Sequence, residues 1–131
     1  MTEKRNKFTN EILDYTCIEI FEEDGINDFF DVINNKNSLD GEEIFLLQYN
    51  KEGNLLFSCG KILSFKNDIM YHSASNCKGS SGSPLIRRFG NKLKYIIGIH
   101  YANIDRKYLN LATSFDNILE DLKIKIIEKN K

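Results

Sequence analysis

Little in this sequence points to a redox, metal or membrane function. Its 131 residues hold three cysteines, Cys17, Cys59 and Cys77, an odd number and widely spaced. None forms a Cys-x-x-Cys pair, which argues against a zinc or dithiol site and leaves reduced thiols as the simplest reading. The histidine, cysteine and acidic residues show no spacing that would converge on an ion, so no metal or organic cofactor is expected. No apolar run is long enough to cross a bilayer, and Met1-Thr2-Glu3-Lys4-Arg5-Asn6-Lys7 lacks the apolar core of a signal peptide. Taken as it stands, the chain is expected in the cytosol with no membrane partner, unless it is a piece of something longer. Lysine and arginine number 18 against 19 acidic residues, a net charge of -1, so nucleic acid is not expected as a partner. Histidine is scarce too: His72 and His100 are the two in the chain.

What is present is an ordinary globular composition, 41% hydrophobic and 28% charged, at about the commonest size of a single domain. The distinctive stretch is Cys77-Lys78-Gly79-Ser80-Ser81-Gly82-Ser83-Pro84, set between apolar runs at 68–74 and 85–88. Glycines on both sides leave the backbone bare enough to aim two N–H groups at an oxyanion, which is what a nucleophilic serine needs. Taken alone, such a cluster is an ordinary loop more often than a site. An α/β-hydrolase elbow would need glycine where Ser83 stands, and no Walker-type lysine follows the loop.

Gly79-Ser80-Ser81-Gly82-Ser83-Pro84 resembles the Gly-Asp/Asn-Ser-Gly-Gly/Ser-Pro signature of trypsin-like, chymotrypsin-fold serine proteases. The form with Ser83 before Pro84 is nearer to bacterial glutamyl endopeptidases than to pancreatic trypsins. After one further strand and a turn, Tyr95-Ile96-Ile97-Gly98-Ile99-His100-Tyr101-Ala102 resembles the Val-Ile-Gly-Ile-His segment that follows the nucleophile in glutamyl endopeptidases and picornavirus-type cysteine proteases of this fold. The resemblance implies Ser81 as nucleophile and the backbone amides of Gly79 and Ser81 as oxyanion hole. It implies that His100 donates a hydrogen bond to a glutamate or glutamine side chain just before the scissile bond. Asn76 stands where relatives have a hydroxyl residue contacting that same side chain. Asp14, which opens the apolar run 14–20, resembles the catalytic aspartate that holds a histidine in its tautomer. On local grounds Asp14 is equally an aspartate opening a strand, and His100 an imidazole packed in a barrel. His72 reads as a partly buried histidine of a polar network near the base of the pocket. Ser80 stands where a charge-pairing aspartate would be, so zymogen activation of the trypsin type is not expected.

The fold expected is all-β: a chymotrypsin-like antiparallel six-stranded barrel, the second of that fold, with a remnant of the first barrel and a C-terminal helix. Residues 1–10 are polar and are expected to fray, and 1–21 would be the first-barrel remnant with its Asp14 strand. Residues 22–41 would be an inter-barrel connector, with Phe29-Phe30 packed down as an anchor and a helical turn allowed at 26–32. Residues 42–113 would be the barrel, with strands at 43–49, 54–65, 68–74, 84–88, 92–101 and 108–113, and Gly60 marking a bulge or corner. Hairpin turns are expected at Lys51-Glu52-Gly53 and Phe89-Gly90-Asn91. Residues 114–131 would be a helix capped by Ser114, with an apolar stripe of Ile118, Leu119, Leu122, Ile126 and Ile127.

The triad is incomplete. A serine hydroxyl needs an adjacent base, which in this family precedes the aspartate by dozens of residues, and no histidine stands before Asp14. If His100 serves the pocket, it cannot also serve as base. Two functions are therefore expected in competition. One is a serine endopeptidase domain, truncated and weak or inactive alone, acting on peptide or protein substrates. The other is a pseudoprotease that binds a peptide or protein without cleaving it. Half a first barrel would leave a sheet edge open to pairing with the missing barrel or another chain.

Overall fold

The computed structural model describes residues 4–32, 41–66, 69–74, 81–104 and 109–131. Nine strands and one α-helix occur among them. They are β1 (Lys7–Asn10), β2 (Tyr15–Ile18), β3 (Asp31–Val32), β4 (Glu43–Tyr49), β5 (Leu55–Lys66), β6 (Ile69–His72), β7 (Pro84–Phe89), β8 (Lys92–Ile104), β9 (Leu109–Ser114) and α1 (Phe115–Lys129). Hydrogen bonding runs β4 to β5 to β6 to β9 to β8 to β7 and back to β4, each pair antiparallel. Those six strands close a barrel, so its main ladders have no open side. Alternation along the strands turns one face inward, where Ile44, Leu46, Ile62, Met70, Ala74, Leu85, Ile97 and Ala112 form the core.

The strand expected at 54–65 runs one residue later, Leu55–Lys66, and its irregularity falls between Ile62 and Ser64 rather than at Gly60. Gly60 does something else. A Cβ placed there would lie 2.3 Å from the Ala74 nitrogen, so the glycine lets β5 pass almost in contact with the segment leaving β6. β6 stops at His72, so Ser73 and Ala74 lie beyond the strand, and Asp68 lies outside the described residues.

Four expectations for the flanks are corrected. Lys7–Asn10 is a strand rather than a frayed end, paired with β2 in a hairpin whose turn is tied by Asn10 Oδ1, which accepts from the amides of Ile12 and Leu13 at 2.9 Å each. Its polarity hides this because the hairpin is held by distant residues. Tyr15, on β2, is buried and donates its hydroxyl to Asp121 of α1 at 2.6 Å, and Lys129 bonds Asn6. Residues 26–32 contain no helical turn; Asp31–Val32 instead pairs in parallel with Tyr95 and Ile96 of β8. Phe29 and Phe30 are not packed down, being 67% and 42% exposed, because their neighbours around one groove are largely charged: Asp28, Asp31, Lys92 and Lys94. In α1 the apolar stripe is only partly used: Ile118 is buried, while Ile126 and Ile127 are exposed. Ser114 does sit at the N-cap of α1, with extended backbone, yet its side chain makes no capping hydrogen bond.

Candidate active site

Ser81 lies on the surface, three positions before β7 begins at Pro84. The chain is anchored directly after it: the Gly82 amide donates to the His100 carbonyl at 2.7 Å, and the His100 amide donates to the Ser83 carbonyl at 2.9 Å. Gly82 has φ +91, a backbone few other residues adopt, so the glycine of the motif is needed for this turn. The Ser81 hydroxyl donates to the Tyr101 carbonyl at 3.1 Å. Beside it runs a groove of about 450 Å³ lined by Leu47, Gln48, Tyr49, Leu55, Ser81, Gly82, Ser83 and Pro84. Gly79 and Asn76, expected for the oxyanion hole and the pocket, lie outside the described residues, as do Cys77 and Ser80. Cys17 and Cys59 are free thiols.

Asp14 does not begin the strand. It occupies the β1–β2 turn with φ 58, exposed, in the left-handed region that aspartate tolerates better than most residues. That turn is pinned to the barrel where Thr113 Oγ1 donates to the Leu13 carbonyl at 3.0 Å. Asp14 shares a groove of about 360 Å³ with Glu11, Ile69, Tyr101 and Thr113. Burial, with Tyr71 and Asp14 nearby, pushes the Tyr101 phenol above its ordinary range. Ser81 and Asp14 therefore converge on one residue: Ser81 on the Tyr101 carbonyl, Asp14 near its ring. Tyr101 was not singled out from the sequence, although its place directly after His100 was visible.

The two histidines are both fully inside the barrel, and they meet. β9 lies between β6 and β8, setting Asn110 opposite His72 and the small Ala112 opposite His100. Across that gap His72 Nε2 and His100 Nδ1 are 3.2 Å apart, with the rings edge to face at 5.3 Å between centroids. The other ring nitrogen of His72, Nδ1, accepts the Ala74 amide at 3.2 Å. Ala74 is held in turn by Asn110 Nδ2, which donates to its carbonyl at 2.6 Å, and by the close passage at Gly60. Burial, and then the neighbouring His100, pushes His72 down to about 4; burial pushes His100 down as well. Ala74 and Asn110 escaped sequence reasoning, and Gly60 was read as a bulge or corner, because nothing local marks a glycine, an alanine and an asparagine as one network.

Among the described residues, no group of three or more histidine, cysteine or acidic side chains could hold a metal ion, and no helix is long and apolar enough to cross a membrane. No family model matches the chain, and no curated protein does. Among solved structures the chain is similar to the inactive form of a serine-to-alanine mutant of Rv3671c from M. tuberculosis H37Rv, with a TM-score of 0.54 at 20% identity. The match covers 71% of this chain and 51% of that one, so this chain spans about half of that structure's length. That likeness, with the closed ring of strands, gives the fold: an all-β, chymotrypsin-like barrel followed by a C-terminal helix.

Proposed function

We propose that this chain is the second barrel of a trypsin-like serine endopeptidase, with Ser81 as nucleophile, and that alone it binds peptide without turning it over. The observation that carries this is the Ser81 hydroxyl donating to the Tyr101 carbonyl. A backbone carbonyl accepts a hydrogen bond but cannot take the proton that an attacking serine must lose. Neither histidine can take it: the Nδ1 lone pair of His72 is used by Ala74, and that of His100 by His72. Loss of the triad histidine typically costs about a million-fold in turnover, leaving some thousand-fold over water from oxyanion hole and binding.

An imidazole supplied from outside these 131 residues, by a first barrel or by another chain, would have to reach Ser81 on the side where Asp14 and Tyr101 stand. Asp14 would then accept its Nδ1–H. Residues 1–21 would be what this sequence keeps of the first barrel. In this reading Gly79 and Ser81 supply the oxyanion amides, and His100, with Asn76, meets a glutamate or glutamine side chain. A pseudoprotease that uses the same cleft for recognition alone is the second reading, favoured by the same Ser81 geometry.

Calorimetric titration with peptides ending in glutamine or glutamate, on wild type and Ser81→Ala, tests the proposal. Saturable binding to both proteins, with no cleavage of extended peptides by wild type, is expected. Ordinary turnover by wild type would contradict the missing base, and absence of binding to either protein would remove both readings.

A further inference from the structure

Phe29, Phe30 and Phe89 are 67%, 42% and 66% exposed around one groove of about 430 Å³. None of the three lines the groove beside Ser81. Phe89 ends the strand that Pro84 begins, which puts about 17 Å of extended chain between the two places. Contiguous exposed aromatic surface of this kind marks a contact with another molecule more often than it is left to water.

The groove is rigid. Asp31–Val32 pairs with Tyr95 and Ile96 of β8, which fixes the Phe29-Phe30 wall against the β7–β8 hairpin. Phe89 meets Tyr95 edge to face at 6.4 Å between centroids. The Lys94 ammonium sits 5.1 Å from the Phe89 ring centre and 3.8 Å from Asp31 Oδ2. An exposed ring already held in place loses little freedom when something packs on it, and that is the condition for a binding anchor.

Its charges are arranged in two walls. The Phe29-Phe30 wall carries Asp28 and Asp31, and the hairpin wall carries Lys92 and Lys94. Lys94 and Asp31 pair with each other, whereas Asp28 and Lys92 have no ion-pair partner among the described residues. A uniformly acidic or basic partner would be repelled by one wall. A surface with the same two walls, turned by half a rotation, sets acid on base twice.

We propose that two copies of this chain pair through this groove about a two-fold axis, with their phenylalanines packed together and Asp28 of each copy beside Lys92 of the other. The three rings leave roughly 350 Å² of aromatic surface exposed per copy. A stable interface covers about 800 Å² per partner and a transient one less than about 600 Å², so rings and charged rim suit a reversible dimer with a Kd in the micromolar range. The pairing does not rest on the peptide-binding reading, since the interface shares no residue with the Ser81 groove.

Sedimentation velocity of the full chain over a concentration series tests the proposal. Wild type is expected to pass reversibly from monomer to dimer. Asp28→Lys and Lys92→Glu, both at exposed positions, are each expected to weaken the dimer by about tenfold or more, because one reversal makes two like-charge contacts across the axis. An equimolar mixture of the two variants is expected to dimerise as wild type does, since each then meets opposite charge at both contacts. Phe89→Ser, shown to be folded by circular dichroism, is expected to stay monomeric. A wild-type chain that is monomeric throughout overturns the second copy as occupant and leaves the face to a different partner, such as a first barrel. A dimer unchanged in both charge variants, or in folded Phe89→Ser, overturns this groove as the interface. A mixture no more associated than its two components overturns the two-fold arrangement.

Discussion

Replacing Gly60 by alanine adds a single methyl group at a close backbone crossing in the barrel. That Cβ would lie 2.3 Å from the Ala74 nitrogen, 2.6 Å from its Cα and 2.7 Å from the Ser73 carbonyl carbon. All three are backbone atoms, so no side chain can rotate away. Restoring ordinary contact requires a shift of roughly 1 Å between β5 and the segment at 73–74. Such a shift stretches the 3.2 Å bond from Ala74 to His72 and the 2.6 Å bond from Asn110 to Ala74. Overpacking costs about 1–3 kcal/mol. Each weakened buried hydrogen bond adds up to about 1 kcal/mol. Against this, alanine restricts the unfolded chain and returns about 0.4–1 kcal/mol. The net expectation is a loss of about 2–4 kcal/mol, read as a lower urea midpoint with unchanged slope by far-ultraviolet circular dichroism. A midpoint equal to or above wild type would refute the crossing, since without it alanine in a strand stabilises.

Other changes probe separate parts of the molecule. Tyr15→Phe should cost about 1–2 kcal/mol, because it strips the hairpin of its 2.6 Å bond to α1, and a change below about 0.3 kcal/mol would mean that the hairpin is not held there. Hydrogen bonds from Tyr15 and Lys125 hold the Asp121 carboxyl down to about 2, so this contribution is present above about pH 4 and is lost as pH falls toward 2; the pH slope there should flatten in Tyr15→Phe. His72 lies down at about 4 when folded against about 6.5 when unfolded. Its contribution is complete above pH 6.5 and falls as the unfolded chain alone takes up the proton between pH 6.5 and 4, by up to about 3 kcal/mol. Urea midpoints that do not change across that window would contradict the buried neutral pair. Asp14→Gly should raise stability by up to about 1 kcal/mol by relieving φ 58, and a loss would show that the carboxylate holds the turn.

Much of the barrel is legible in the sequence because period-two patterning and turn residues are local signals. β4, β7 and α1 lie close to where their patterns put them, and the six strands expected at 43–113 close into one ring. The flanks were not legible. Lys7–Asn10 is polar and short, and is a strand because Tyr15 reaches α1, 106 positions away in the chain. Phe29-Phe30 looked like an anchor by composition, yet an aromatic pair packs only where an apolar surface awaits it, and this one faces charged neighbours. At the site, the glycines around Ser81 could be read as a turn, and Gly82 at φ +91 is one. The pairing of His72 with His100 could not, because it depends on β9 lying between β6 and β8 with a small Ala112 in the gap. Read one at a time, the two histidines suggested a network residue and a pocket residue; their 3.2 Å contact makes them one unit.

The account rests most on Ser81 lacking a base, and a fluorophosphonate probe tests that directly. Intact mass of the folded wild-type chain after incubation, beside Ser81→Ala, reports whether the hydroxyl is activated. The expected result is no adduct on either protein, since the Ser81 proton is directed at a carbonyl and both imidazoles are committed to each other. Stoichiometric labelling of wild type that disappears in Ser81→Ala would contradict the account, because it would require a base within these 131 residues.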